Sequence, residues 1–390
     1  MRPRWPSTKM YDPSLNQRKG EYDWPLAAAT LGLMLLGTAF IFSATDIHAG
    51  PGAPWYKQVY LHQVAWYVLG VGAAAAVCCF EYGRLARWSE VFYWGAMILL
   101  LAVLALGAMH NGSKRWIELG PFNLQPSELA KVAFIVWLAN YLSRPREELR
   151  RRRVFLAVLG YTLLPFILVL KEPDLSSALI FLAISLAMMF AAGVPKRTLA
   201  VLVAGAALLA VLGTVLLLQA PAKSRIKEQY QARRLLAYLG QGNKDTRYQV
   251  RQALISIGSG GLTGKGWRQG TQHSLGFLPT AGAHNDFIFS VIAEEEGFVG
   301  SATVLALYTV LLFSGIKIAS QARDRLGRLM AIGVVTLLFS HVFINIGMNI
   351  RLMPVAGIPL PLLSYGGSSV ICSLLAIGIL HNVHIYRRYY

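Results

Sequence analysis

Asp286 is the side chain best placed to do chemistry. It closes the triplet His284-Asn285-Asp286, where a polar stretch gives way to the apolar run Phe287-Ile288-Phe289-Ser290-Val291-Ile292-Ala293. A carboxylate at the mouth of a helix can cap the free N–H groups of the first turn. Beside a basic loop at a membrane edge it can equally serve as a general base. Glu294, Glu295 and Glu296 follow further along the same run. In one continuous helix they would lie about 12–15 Å deeper, at roughly 1.5 Å per residue. Acids at that depth must face protein, a cavity or a partner charge rather than lipid.

Other candidates are mostly cations. Glu128 and Lys131, in Gln125-Pro126-Ser127-Glu128-Leu129-Ala130-Lys131, are three apart and share one helix face. Pairing would lower the cost of burying both, and would set an anion and a cation in a cavity. The alternative is a helix-start cap made by Ser127 and Glu128. Lys114 and Arg115, followed by Trp116, fit phosphate or headgroup contact, or an ordinary interfacial anchor. Lys171-Glu172-Pro173-Asp174 reads structurally, with Pro173 ending one helix and Asp174 capping the next.

Residues 219–285 form a polar stretch with ten basic side chains, among them Arg234 and Lys265. These suit an anionic ligand such as a pyrophosphate, or else a solvated loop facing lipid headgroups. Within it, Gly258-Ser259-Gly260-Gly261-Leu262-Thr263-Gly264-Lys265-Gly266 is not a P-loop, because Gly266 stands where Ser or Thr must follow the lysine. It reads as a flexible loop whose glycines let the backbone approach another surface, with Lys265 available for an anion. Finally, Met353 to Ser369 holds too many Pro and Gly for a regular helix. Irregular backbone at membrane depth is tolerated only against protein or a water-filled cavity. Residues 350–365, which include Ser364, are therefore expected to be re-entrant or partly unwound.

The elements that position these groups are membrane spans. Of 390 residues, 55% are hydrophobic and only 14% charged, where soluble domains sit nearer a quarter charged. A hydrocarbon core of roughly 30 Å needs about 20 apolar residues as helix. Spans are expected at 24–44, 61–80, 88–108, 126–143, 153–170, 174–193, 198–218, 286–315, 329–349 and 366–386. The fold class is thus an all-α polytopic membrane protein of about ten helices, one domain over 1–390, with a large loop between helices seven and eight. The first span is no cleaved signal, since a long polar segment, 1–23, precedes a full-length apolar run.

Basic residues alternate between the connections. Arg2 to Lys19, Arg84 and Arg87, Arg144 to Arg153, Lys196 and Arg197, Lys317 to Arg328, and Arg387 with Arg388 form one set; 45–60, 171–173 and 350–365 are poor in them. This places both termini in the cytoplasm and the 219–285 loop outside. The net charge of +18 is then largely topological, and no aromatic-plus-basic platform points to nucleic acid. Cys78, Cys79 and Cys372 lie in apolar runs without metal-ligand spacing, which argues against disulfides and structural zinc.

Four blocks resemble the SEDS family (shape, elongation, division, sporulation), the bacterial cell-wall polymerases RodA and FtsW. They are Arg115-Trp116 through Gln125 to Lys131; Glu172-Pro173-Asp174; Gly264-Lys265-Gly266 through Asp286-Phe287-Ile288-Phe289 and Glu294-Glu295; and Pro354 to Ser369. Tyr230-Gln231 with Arg234 also matches, and the resemblance runs from the first span to the last. Gly270-Thr271-Gln272 and Gly357-Ile358-Pro359-Leu360-Pro361 look closer to the RodA, elongation branch. The resemblance implies a peptidoglycan glycosyltransferase of the bacterial inner membrane. It would join lipid II to a nascent glycan strand and release undecaprenyl pyrophosphate. Asp286 matches the family's essential aspartate, which takes the proton of the acceptor 4-hydroxyl. Lys265, Arg234, Lys114 and Arg115 are candidates to hold the leaving group, with a divalent cation, Mg or Mn, as a further candidate and no other cofactor implied. Glu128 and Lys131 match the family's polar cavity, and Ser364 falls in its last block. Implied partners are a class B penicillin-binding transpeptidase and other membrane proteins of the elongation complex.

Two departures stand out. Thr280 follows Leu278-Pro279 where the family usually has glutamate, which weakens any two-carboxylate or metal-bridged mechanism; Arg351 replaces a commoner glycine. Two other classes fit the same features. A flippase or transporter also uses polar residues inside broken helices, although no inverted repeat is evident. The third is a scaffold that activates another membrane enzyme.

Overall fold

Lipid offers a backbone no hydrogen-bond partners, so an apolar run of span length satisfies its own N–H and C=O groups by becoming a helix. The computed structural model describes residues 22–46, 58–110, 113–119, 122–145, 147, 152–219, 230–239, 244–278 and 280–388. In chain order the helices are α1 (Trp24–Asp46), α2 (Val59–Cys78), α3 (Tyr82–Arg87), α4 (Ser89–Leu106), α5 (Pro126–Leu142), α6 (Arg152–Lys171), α7 (Leu175–Ala192) and α8 (Lys196–Gln219). After them come α9 (Tyr230–Tyr238), α10 (Lys244–Ser259), α11 (Thr271–Ser274), α12 (Thr280–Ala283), α13 (Ile288–Glu295), α14 (Gly297–Gln321), α15 (Arg325–Asn349) and α16 (Gly367–Ile385). Among the described residues, nine helices are long and apolar enough to cross a membrane. The tenth expected span, α5, has only 17 residues and is buried along most of its length. The molecule is the all-helical polytopic membrane protein its composition implies. Its connections gather at two ends: a basic end bearing Arg84, Arg144, Lys196 and Arg325, and a loop end.

Three short antiparallel strands, which hydropathy did not reveal, interrupt the helices at the loop end. β1 (Ala108–His110), β2 (Ser113–Leu119) and β3 (Phe122–Leu124) form a meander with Ala108 opposite Trp116 and Ile117 opposite Leu124. The Ser368 hydroxyl fastens it to α16, donating to the Asn123 carbonyl at 2.7 Å and accepting from the Gln125 N–H at 3.0 Å.

One expected span, 286–315, is split. The chain breaks at Glu296, where Gly297 takes φ +63°, so α13 and α14 are separate helices. The break is sealed by the glycine loop. The Lys265 and Gly266 N–H groups donate to the Glu294 and Glu295 carbonyls at 3.0 and 2.9 Å, and the Phe298 and Val299 N–H groups donate to the Gly261 and Leu262 carbonyls at 2.9 and 3.1 Å. A Cβ at Gly264 would stand 2.0 Å from the Glu295 carbonyl oxygen, and one at Gly297 would stand 2.4 Å from the Gly264 nitrogen. The loop expected to be flexible is therefore a main-chain clamp. Gly264→Ala should lower the melting temperature, because crowding adds roughly 1–3 kcal/mol to the cost of a positive φ. Gly258→Ala is the control in the same thermal scan. Its Cβ meets nothing within 4 Å, so its melting temperature should hold or rise.

The split also overturns the expected depth of the three glutamates. α15 runs from the basic end to the loop end, so Asn349 lies about 6 Å nearer the loop end than Asn345, at 1.5 Å per residue. Asn345 and Asn349 both bond the Asp286 carbonyl, and Ser290 bonds Asn349 at 2.6 Å. The start of α13 therefore sits against the loop end of α15. Glu295 ends at the rim, where it accepts a 2.6 Å bond from Ser43 in the last turn of α1. Glu294 to Glu296 are therefore at the loop end and not deep in the bilayer.

Between α15 and α16, residues 351–366 contain no regular helix. Their carbonyls are taken up by side chains of the surrounding helices. Tyr308 donates to Pro361 at 2.5 Å, Tyr67 to Leu362 at 2.6 Å, Asn345 to Ile358 at 2.7 Å and Gln63 to Ser364 at 3.2 Å. This is the compensation that unwound backbone needs at membrane depth.

Candidate active site

Asp286 is held by its main chain. Asn345 and Asn349, one turn apart on α15, each donate to its carbonyl at 3.1 Å. The neighbouring turn is tied to the unwound segment. Ser364 donates to the Asn285 carbonyl at 2.6 Å, and the Tyr365 N–H to the His284 carbonyl at 2.9 Å. The side chain does not cap a helix: the residue before α13 is Phe287, and it makes no side-chain cap. The carboxylate is instead partly exposed and turned toward Gly357, whose Cβ position lies 3.6 Å from Asp286 Oδ2 and 3.2 and 3.3 Å from the two Arg234 terminal nitrogens. Arg234, on α9, is steadied by a 2.8 Å bond to the Ala356 carbonyl. Burial raises the Asp286 pKa, Arg234 and Arg115 pull it back, Asp174 pushes it up, and the net shift is upward. A base stronger than ordinary aspartate, with Arg234 at the same glycine and the charge of Arg115 acting on it, is suited to a transfer that develops negative charge on a leaving group.

Arg115 reaches this region from β2, anchored on the turn between α6 and α7. Its Nε donates to the Glu172 carbonyl at 3.1 Å, a terminal nitrogen donates to the Pro173 carbonyl, and Nη1 lies 3.6 Å from Asp174 Oδ2. Asp174 caps α7 by accepting from the Ser177 N–H at 3.1 Å. Glu172 is 1% exposed, and neither of its carboxylate oxygens has a hydrogen-bond partner. Burial, with the Asp174 charge adding and Arg115 opposing, pushes its pKa from 4.5 up to about 8. Native protein thus keeps a proton that the unfolded chain releases near 4.5. The associated stability is complete below that pH and is lost as pH rises through about 8. Glu172→Gln should remove this slope. Melting temperatures at pH 6 and pH 9 should converge in the variant and diverge in the wild type.

The remaining expected residues fall into two further groups. Glu128 and Lys131 do pair, at 2.7 Å, and Lys131 Nζ also lies 2.8 Å from His341 Nε2; all three are buried. The cap alternative fails here, since Gln125 precedes the helix and makes no side-chain cap. Lys265 stands apart from Asp286, at the far end of α13. Its ammonium lies 2.5 Å from Glu294 Oε1 and 2.7 Å from Thr271 Oγ1. Burial raises the Glu294 pKa, but Lys265 and the N–H groups of Gln272 and Thr271 outweigh it and hold the acid below its usual range. Lys265 is thus engaged in the clamp rather than set out for an anion. Ser364 is 1% exposed, and its hydroxyl also accepts from the Leu360 N–H at 2.8 Å. It fastens two loops together and presents no free group to a ligand. Of Lys114 only the backbone is described, in β2; the side chains of Tyr230, Gln231 and Thr280 lie outside the described residues.

A family model for cell cycle proteins named for FtsW, RodA and SpoVE matches residues 24–389. The chain belongs to this family. It is 38% identical over 306 residues to the peptidoglycan glycosyltransferase MrdB of Escherichia coli K12, covering 77% of this chain and 79% of that one. It is 34% identical over 381 residues to the stage V sporulation protein E of Bacillus subtilis 168, covering 96% and 100%. A chain from a solved peptidoglycan synthase complex that coordinates polymerisation and crosslinking superposes with a TM-score of 0.78 at 30% identity, over 95% of this chain and 99% of that one.

In this FtsW/RodA/SpoVE protein the motif residues are visible in sequence, whereas the α15 residues that hold Asp286 and Lys131 lie outside the motifs. His341, Asn345 and Asn349 recur every four residues along an otherwise apolar helix, which puts all three on one face. That stripe was the available signal, since polar groups in a span demand an explanation.

Proposed function

We propose that this peptidoglycan glycosyltransferase polymerises lipid II at the loop end of the bundle, with Asp286 as general base. The carrying observation is the meeting of Asp286 and Arg234 at Gly357, over a backbone fixed by two asparagines. Asp286 takes the proton from the acceptor 4-hydroxyl while that oxygen attacks the donor anomeric carbon. The bond to pyrophosphate breaks, the anomeric centre inverts, and undecaprenyl pyrophosphate leaves carrying the negative charge. Arg234 and Arg115 stabilise that charge, Lys114 lies on the same strand as Arg115, and Glu128 with Lys131 forms the polar floor. Among the described residues no three His, Cys, Asp or Glu side chains converge. A Mg or Mn ion would therefore be held mainly by pyrophosphate oxygens, as this class of ion commonly is.

The basic end faces the cytoplasm, by the placement of Lys and Arg in its short connections, so catalysis is extracytoplasmic. Gly270-Thr271-Gln272 and Gly357 to Pro361 support the elongation branch, and the partner would be a crosslinking transpeptidase, as in the solved synthase complex. The test gives labelled lipid II to the purified protein with and without a transpeptidase. Glycan strands and stoichiometric undecaprenyl pyrophosphate are the expected products. If instead no polymer forms under any partner or metal condition while lipid II crosses vesicle membranes, transport replaces polymerisation as the function.

A further inference from the structure

The basic end holds a pocket that the polymerase chemistry does not use. It is a cavity of about 650 Å³ between the start of α1 and the ends of α14 and α16, lined by Tyr22, Trp24, Lys317, Gln321, His384 and Arg387, with Asp23 in its wall. We infer that it binds the phosphodiester headgroup of an anionic phospholipid. The leaflet, the cytoplasmic one, follows from the orientation proposed above; the chemistry of the pocket does not depend on it.

Three observations converge on that ligand. The first is charge. Lys317 is exposed, and no carboxylate among the described residues forms an ion pair with it. The contacts that orient the Arg387 guanidinium include Gln321 Oε1, 3.0 Å from Nη1, and His384 Nδ1, 2.6 Å from it. The carboxylate in the wall is buried and already engaged: Asp23 Oδ1 accepts from the Leu26 N–H at 3.0 Å at the start of α1, and Oδ2 faces His384 at 4.0 Å. The pocket therefore presents cations to an incoming anion, and a guanidinium held in place suits a phosphate oxygen pair.

The second observation is depth. Trp24 and Tyr22 are 72% and 61% exposed, with ring centroids 6.4 Å apart. Exposed aromatic pairs at the edge of a span mark the headgroup level. The third is continuity with hydrocarbon. Leu31 and Leu35, one turn apart on α1, are exposed, so an apolar strip leads from the pocket along the same helix and can receive acyl chains. Basic pockets between spans at the cytoplasmic side recognise anionic headgroups for these reasons. Such a lipid would brace α1 against α14. At their other ends these helices carry Ser43 and the Gly297 break, which support α13.

The test uses the full chain in detergent, titrated with phosphatidylglycerol or phosphatidylcholine, read by native mass spectrometry and thermal unfolding. Phosphatidylglycerol should be retained and should raise the melting temperature, while phosphatidylcholine should do neither. Lys317→Gln should weaken retention about fivefold, and Lys317→Gln with Arg387→Gln by a further factor of about five. Because Arg387 also touches Gln321 and His384, the single Lys317 variant keeps the test valid if the double variant folds poorly. Equal shifts with both lipids, or unchanged phosphatidylglycerol retention in the Lys317 variant, would overturn the inference. So would inorganic phosphate reproducing the shift, which would assign the pocket to a soluble anion. Lipid retention is read independently of glycan products, so a failure here and a failure of the polymerase reading are separable.

Discussion

Asp286→Asn should cut lipid II polymerisation by about 10²–10⁴-fold, the usual contribution of a positioned general base, and leave the protein folded. Folding is spared because the asparagine bonds that hold residue 286 reach its carbonyl oxygen, not its side chain. The amide is nearly isosteric with the carboxylate, so it keeps the packing at Gly357 and loses only the capacity to accept a proton. Lipid II binding should survive, because Arg234 and Arg115 remain. The loss should therefore fall on turnover and spare KM. In the wild type, activity should drop on the acid side as Asp286 protonates, with an inflection above the ordinary aspartate value of 3.8, since burial outweighs the two arginines. Purified variant and wild type, compared for glycan length and rate across pH, decide the matter. Full polymerisation by a folded Asp286→Asn protein would remove Asp286 from the mechanism.

How much of this was legible beforehand depends on the range of the physics. Hydropathy is local, so the bounds of nearly every span came within a few residues. Basic residues in the short connections likewise sorted the two ends of the bundle. The break at Glu296 was not legible, because it depends on a glycine loop about thirty residues earlier in the chain docking its backbone against Gly297. With the break unseen, a helical count of rise per residue sends Glu294 to Glu296 inward, when Glu295 meets Ser43 at the loop end of α1. The same limit applies at the site. Lys265 looks like a free cation until Glu294 is beside it, and Ser364 looks like a ligand contact until its hydroxyl meets the Asn285 carbonyl. Arg115 could be read as phosphate-facing, but its anchor lies 57 residues away at Glu172. The α15 stripe differs in kind. His341, Asn345 and Asn349 need only helical periodicity to be placed on one face, but as an imidazole and two amides they carry less of the signal that a charged group in a span gives.

Lys131→Met is the second change with a large expected effect, and its sign depends on what stays behind. Lys131 is 0% and Glu128 4% exposed, with 2.7 Å between ammonium and carboxylate. Removing the lysine strands a buried carboxylate, and breaking such a pair costs about 3–5 kcal/mol. Replacing both members costs far less, because two neutral groups of similar size need no counter-charge. Lys131→Met should therefore melt well below wild type, and Glu128→Gln with Lys131→Met should recover most of the difference. Activity separates structure from function in the same pair of proteins. If the pair only braces α5 against α15 through His341, the double variant regains polymerisation along with stability. If the pair supplies charge to the substrate cavity, as its place on the family motif indicates, the double variant is stable and still fails to polymerise. We expect the second result. Recovery of both would reduce Glu128 and Lys131 to a structural brace and leave the chemistry to Asp286, Arg234 and Arg115.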